Sequence, residues 1–140
     1  MISTIEKVLF LKSVDLFKKI PAEDLSRVAH ISQEVNFEKG ETLIKQGDDG
    51  DCLYLILQGN VKVLVNDKEV AQLGEKSAVG EMAILDNEPR SASVIAATPV
   101  SALRIDQEDF YQLMSEKSDI AYGIIQVLIH RLREANIKKG

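Results

Sequence analysis

Phe37-Glu38-Lys39-Gly40-Glu41-Thr42-Leu43-Ile44-Lys45-Gln46-Gly47-Asp48-Asp49-Gly50-Asp51-Cys52-Leu53-Tyr54-Leu55-Ile56-Leu57-Gln58-Gly59-Asn60-Val61 is the stretch on which the fold turns. Two aliphatic runs, 41–44 and 52–57, are bounded by Gly40, Gly47, Gly50 and Gly59, each placed where a chain of short strands must reverse. The same texture extends outward through Val61-Lys62-Val63-Leu64-Val65 and Glu69-Val70-Ala71-Gln72-Leu73 to Gly74. It resumes at Ala92-Ser93-Val94-Ile95-Ala96 and Val100-Ser101-Ala102-Leu103-Arg104-Ile105. Many short strands separated by turn residues specify an antiparallel sandwich or barrel, so residues 35–105 are assigned to a β-roll.

On either side the period becomes helical. In residues 1–34 the apolar groups Ile5/Val8/Leu9/Phe10 and Leu16/Phe17/Ile20/Leu25/Val28/Ala29/Ile31 predict two or three short helices. Pro21 suits a first helical position, with Glu23 and Asp24 in the following turn. In residues 106–140, Asp106 is expected to cap a helix carrying Phe110, Leu113 and Met114. Ser118 or Asp119 should open a longer one whose stripe Ala121/Ile124/Ile125/Leu128/Leu132/Ala135 packs on the roll. The predicted class is mainly β with flanking helices: one domain holding an antiparallel, jelly-roll-like β-roll, N-terminal helices, an inserted helix near 79–94 and C-terminal helices. A chain of 140 residues is long enough for one such core and short for two.

Composition restricts the partners. Seventeen Lys and Arg against 22 Asp and Glu give a net charge of −5, a field that repels nucleic acid and anionic membranes. An anionic ligand must then be held by a locally placed cation and by main-chain N–H groups. Cys52 is the single cysteine, which excludes an intramolecular disulfide and a cysteine-based metal cluster and fits a reducing cytoplasm. The run Ile5, Val8, Leu9, Phe10, Leu11, broken by Lys7 and followed by Lys12, falls far short of the roughly 20 apolar residues of a spanning helix. Neither membrane insertion nor a secretory leader is expected.

Between the strands lies Val79-Gly80-Glu81-Met82-Ala83-Ile84-Leu85-Asp86-Asn87-Glu88-Pro89-Arg90-Ser91-Ala92-Ser93-Val94. A helix opening near Met82 would offer unpaired N–H groups and its positive end to a phosphate. Gly80 lets the backbone come close to a ligand, and the Glu81 carboxylate can accept two hydrogen bonds from sugar hydroxyls. Pro89 stiffens the approach to Arg90, whose planar fork matches two phosphate oxygens. A surface ion pair between Glu81 and Arg90 would be worth no more than about 1 kcal/mol. The whole string, with Ala83 and Ala92 small and Met82, Ile84, Leu85 and Val94 apolar, points to a ligand instead, and it needs neither metal nor cofactor.

This string resembles the phosphate-binding cassette of the cyclic nucleotide-binding domain family, which includes domains of catabolite activator protein and of protein kinase A regulatory subunits. Residues 37–61 resemble the family's β-roll signature, and residues 16–25 its N-terminal helical motif. The resemblance implies that Glu81 binds the ribose 2′-hydroxyl and Arg90 the cyclic phosphate, with main chain at Gly80, Met82, Ala83, Ser91 and Ala92 completing the cradle. In the family, serine at the position of Ser91 accompanies both adenine and guanine ligands, and cAMP is expected ahead of cGMP. Two residues depart from the pattern, Val79 where an aromatic is usual and Lys76 where glycine is common. Both are expected to loosen the pocket wall, and Lys76 to bring a cation near the site. The last helix is expected to cover the base, with Arg131, Arg133 and Asn136 as candidate contacts, or to form a homodimer seam. The implied role is a cytoplasmic allosteric sensor whose C-terminal helices move on binding, either part of a larger signalling protein or without an output of its own.

Two rival readings stand beside it. One is a roll that lost its ligand and serves as a protein-interaction scaffold. The other is a jelly-roll enzyme, disfavoured because His30 and His130 lie in helical segments rather than clustered on strands. Asp48-Asp49-Gly50-Asp51 lacks the spacing of a calcium loop and reads as a solvated turn. No catalytic residue is assigned, and a binding protein rather than an enzyme is expected.

Overall fold

The computed structural model describes residues 2–139, apart from the side chains of Ala83, Ile84 and Lys139. In chain order the elements are α1 (Thr4–Ser13), a 3-10 turn (Asp15–Phe17), α2 (Ala22–Ile31), β1 (Ser32–Phe37), β2 (Thr42–Ile44), β3 (Cys52–Gln58), β4 (Val61–Val65), β5 (Lys68–Leu73), β6 (Ala78–Val79), α3 (Glu81–Asp86), β7 (Ser93–Ala96), β8 (Val100–Asp106), α4 (Gln107–Glu116) and α5 (Ser118–Lys139). They form two compact units, residues 31–109 and the helical residues before and after them.

In the β unit every strand pair is antiparallel, in two four-stranded sheets ordered β1-β8-β3-β6 and β2-β7-β4-β5. The mainly β roll with flanking helices matches the sequence reading. Both sheets contribute to one core, with Ile44 from β2, Tyr54 and Ile56 from β3, Val61 from β4, Val94 from β7 and Ala102 from β8. Leu53 and Leu55, pointing the other way along β3, are equally buried. A strand buried on both faces reads as a continuous apolar run, which is why 52–57 shows no alternation.

The roll opens at Ser32 rather than Val35. Register with β8, from Ser32 opposite Ile105 to Phe37 opposite Val100, sets this start. Ser32 occupies a buried place that hydrophobicity could not reveal. At the far end Asp106 belongs to β8 and accepts a hydrogen bond from Arg104 Nε at 2.8 Å. The β4–β5 hairpin closes on Asn66 and Asp67, both at positive φ (52° and 66°), as a two-residue type I′ turn requires.

Lys76 also has positive φ, 71°, and its N–H donates to the Ile56 carbonyl at 2.8 Å. A side chain in this region costs about 1–2 kcal/mol, part of which a glycine returns through the entropy of its unfolded chain. Lys76→Gly is expected to stabilise the protein by roughly 0.5–1 kcal/mol on that balance. The check is a higher urea midpoint at unchanged slope.

Tyr54 stands opposite Arg104 across the β3–β8 pair, its hydroxyl 3.3 Å from Arg104 Nη1 and its ring edge-on to Phe37 at 5.6 Å. Burial, with the Cys52 thiol nearby, pushes the phenol up to about 12. A phenol raised above its unfolded value of about 10 contributes stability that is complete below that pH and disappears as pH rises through about 12. Melting temperature should therefore fall across that interval, and Tyr54→Phe should remove this part of the fall.

In the helical unit, Ser3 caps α1 in a reciprocal capping box with Glu6. The Pro21 carbonyl accepts from the N–H groups of Asp24 and Leu25, so Pro21 stands just before α2 rather than as its first residue. Phe17 and Phe110 pack with ring centroids 6.1 Å apart. Gly123 lets α5 approach closely, since a Cβ there would lie 3.1 Å from the Lys19 main chain and 3.0 Å from Ile20. The buried stripe of α5 is Ile120, Gly123, Ile124 and Val127, whereas Ile125, Leu128 and Leu132 of the expected stripe are exposed. Apolar residues occur on nearly every face of this helix, so spacing alone could not select the buried one.

Candidate functional site

A cavity of about 310 Å³ opens in the β unit beside α3. Ile44, Val63, Leu73, Val79 and Val94 give it apolar walls, while Gly80, Glu81, Met82, Arg90, Ser91 and Ala92 supply the side nearest the helix. Asp86 and Glu88 also contribute to the lining. Six of the seven ligand residues named from sequence thus meet in one cavity. The seventh, Ala83, has its main chain in α3, and its side chain lies outside the described residues.

Arg90 is 6% exposed. Its main chain is latched to the 47–49 turn: its N–H donates to the Asp48 carbonyl at 2.7 Å, and its carbonyl accepts from Gly47 N–H at 2.9 Å. An isolated bridge between Asp49 and Pro89 adjoins the latch. The aspartate-rich turn therefore serves to seat Arg90.

The guanidinium is positioned by two further main-chain carbonyls. Nη1 donates to Gly80 O at 3.1 Å, and Nη2 donates to Cys52 O at 2.5 Å with Cys52 Sγ at 3.6 Å. Burying an arginine demands such acceptors, because a desolvated charge without them costs several kcal/mol. Hydrogen bonds from a fixed fork also pre-orient its remaining N–H groups for an anion. Gly80 makes the arrangement possible. Its φ is 82°, and a Cβ at this position would overlap Arg90 Nη1 and sit 3.0 Å from Ile44 Cδ1. With only six residues, α3 has a small dipole, and Arg90 is the one Lys or Arg among the lining residues.

The candidate base contacts lie elsewhere. Arg131 donates to Asp15 Oδ2 through Nε at 3.1 Å and Nη2 at 2.9 Å. Lys18 and Arg131 together hold the Asp15 carboxyl below the usual range. Arg133 borders a cleft of the helical unit with Lys18 and Lys19, and Asn136 is exposed on α5. None of the three lines the cavity, nor does Lys76; the departure at Lys76 acts on the backbone instead. Cys52 was not anticipated. It acts through its carbonyl, which no residue type announces. Ile44 and Val63 were legible in principle as core-facing positions of short strands.

Among the described residues no group of three His, Cys, Asp or Glu could hold a metal ion, and no helix is long and apolar enough to cross a membrane.

Comparison with known proteins places this geometry in context. The family described as cyclic nucleotide-binding domain matches residues 34–117. The cAMP-dependent protein kinase regulatory subunit of Candida albicans is 38% identical over 106 residues, covering 76% of this chain and 23% of that protein. The cGMP-dependent protein kinase of Plasmodium berghei is 38% identical over 122 residues, covering 87% of this chain and 13% of that protein. The chain thus spans less than a quarter of either relative's length. The N-terminal domain of a transcriptional regulator from Streptomyces coelicolor superposes with a TM-score of 0.82 at 28% identity, covering 91% of this chain and 94% of that one.

Proposed function

Because this chain belongs to the cyclic nucleotide-binding domain family, we propose that its cavity seats cAMP in preference to cGMP and that the chain works as a regulatory sensor. The observation that carries the reading is Arg90, buried and pre-oriented by the Gly80 and Cys52 carbonyls in the wall that also presents Glu81. A cyclic phosphate carries one negative charge, matched by the single arginine. Arg90 takes two of its oxygens, Glu81 accepts from the ribose 2′-hydroxyl, and main chain at Gly80, Met82, Ala83, Ser91 and Ala92 closes round the ring. Relatives named for cAMP and for cGMP are equally similar, and serine at position 91 accompanies both bases in the family, so the preference for cAMP is the part of the proposal that parallel titration with the two nucleotides decides.

Seating the phosphate draws on the same guanidinium that holds Gly80, and so it biases the position of α3. In this reading the bias reaches the C-terminal helices, at a coupling typically of about 1–3 kcal/mol, and Arg131, Arg133 or Asn136 meets the base. For Arg131 this requires release from Asp15. An output domain or a second copy would read the movement, in the cytoplasm. Glu81 and Arg90 hold a ligand and offer no activated nucleophile, so the assignment is to binding and not to catalysis.

The test is a cycle of equilibrium binding measurements with cAMP and its 2′-deoxy analogue on the natural chain and on Glu81→Gln. If the carboxylate reads the hydroxyl, either change alone weakens binding tenfold or more, and the second adds little to the first. Fully additive losses would dissociate Glu81 from the ribose.

A further inference from the structure

The helical unit carries a cleft of its own, of about 630 Å³. One wall is Lys18 and Lys19, which follow the 3-10 turn. The other is a single face of α5, with Gln126, Ile129, His130 and Arg133 at helical spacing. Gly123 fixes the two walls together, because Lys19 main chain lies against it where any side chain would intrude. Lys18 is already paired with Asp15 at 2.8 Å, and His130 Nε2 lies 3.2 Å from Glu134 Oε1. Lys19 and Arg133 are exposed and have no ion-pair partner among the described residues. Ile129 between them is 47% exposed, continuous on the helix with Ile125 at 49% and Leu132 at 61%.

Two cations without ion pairs thus flank an open aliphatic strip. A small inorganic anion would leave the aliphatic strip unused, and nucleic acid or a second copy of this chain would extend its negative charge far beyond the two cations into the repulsive field of the whole chain, whereas a short segment confines its carboxylates to the cleft. Charge and apolar complementarity together select an acidic segment with aliphatic side chains. We propose that this cleft is a docking site for an acidic peptide segment of a partner protein, its carboxylates over Lys19 and Arg133 and an aliphatic side chain on Ile129.

The test uses the full chain and a fluorescein-labelled peptide alternating Glu with Leu, read by anisotropy and by amide chemical shifts. Saturable binding that weakens with added salt, shifts centred on Lys19, Gln126, Ile129 and Arg133, and a tenfold or greater loss in Lys19→Glu/Arg133→Glu are the expected results. Ile129→Ser should weaken binding as well. Unchanged circular dichroism and an unchanged cooperative urea transition in the charge-reversal variant would exclude a folding defect. The proposal is overturned if that variant binds equally well, if a Lys-Leu peptide binds as tightly, or if inorganic phosphate at equal concentration displaces the probe. Sedimentation showing a natural dimer broken by Ile129→Ser would assign the face to a second copy and overturn it likewise.

Discussion

Arg90→Gln should weaken cyclic nucleotide binding by about 2–5 kcal/mol, a rise in Kd of roughly thirtyfold to several thousandfold. That is the usual cost of removing one member of a buried, hydrogen-bonded charge pair, because the phosphate is then seated unpaired in a largely apolar cavity. The same substitution should also lower the unfolding free energy, by about 1–3 kcal/mol. The Gly80 and Cys52 carbonyls lose their guanidinium donors, and glutamine is too short to reach both. Arg90→Lys separates the two effects. It restores the charge without the fork, so it should recover part of the affinity while leaving one carbonyl without its donor. Titration calorimetry and urea unfolding on the three proteins measure both quantities. Binding by Arg90→Gln at the natural affinity would remove the arginine from the site.

Gly80→Ala should be the second most damaging change, although it adds a single methyl group. The residue's φ of 82° costs an L-residue about 1–2 kcal/mol. The new Cβ meets Arg90 Nη1 and Ile44 Cδ1, and crowding of this kind typically costs a further 1–3 kcal/mol or so. The guanidinium is the more mobile neighbour and will give way, breaking its bond to the Gly80 carbonyl. A fall in stability should therefore accompany a tenfold or greater loss of cAMP affinity. If affinity fell with no change in stability, the direct approach of ligand to backbone would by itself explain the glycine. A loss of stability with natural affinity would break the link between Gly80 and the orientation of Arg90.

The β-roll was legible because its strands are short, aliphatic and bounded by glycines, so that spacing and composition agree. Its edges were less so. Ser32 opens β1 through register with Ile105, a partner far along the chain that no local pattern shows. The buried face of α5 was misread for a related reason: with apolar residues nearly all round, Gly123 and its close approach to Lys19 decide which side is covered. At the cavity, residue types named the chemistry of Glu81 and Arg90, and their convergence required the fold. What could not be read is how Arg90 is held. Its acceptors are the carbonyls of Gly80 and Cys52, and its latch is the main chain of Gly47 and Asp48. Main-chain groups are common to all residues and leave no compositional trace. Lys76 is an intermediate case. Its departure from a common glycine was visible, and only the φ of 71° shows that its consequence is backbone strain rather than an altered pocket wall.

The central claim is that the cavity around Arg90 is a working cyclic nucleotide site. Calorimetric titration of the 140-residue chain with cAMP, and in parallel with cGMP, tests it most directly. Saturable binding of one nucleotide per chain, tighter for cAMP and lost in Arg90→Gln, is the predicted result. No heat and no competition at millimolar concentrations of either nucleotide would contradict it.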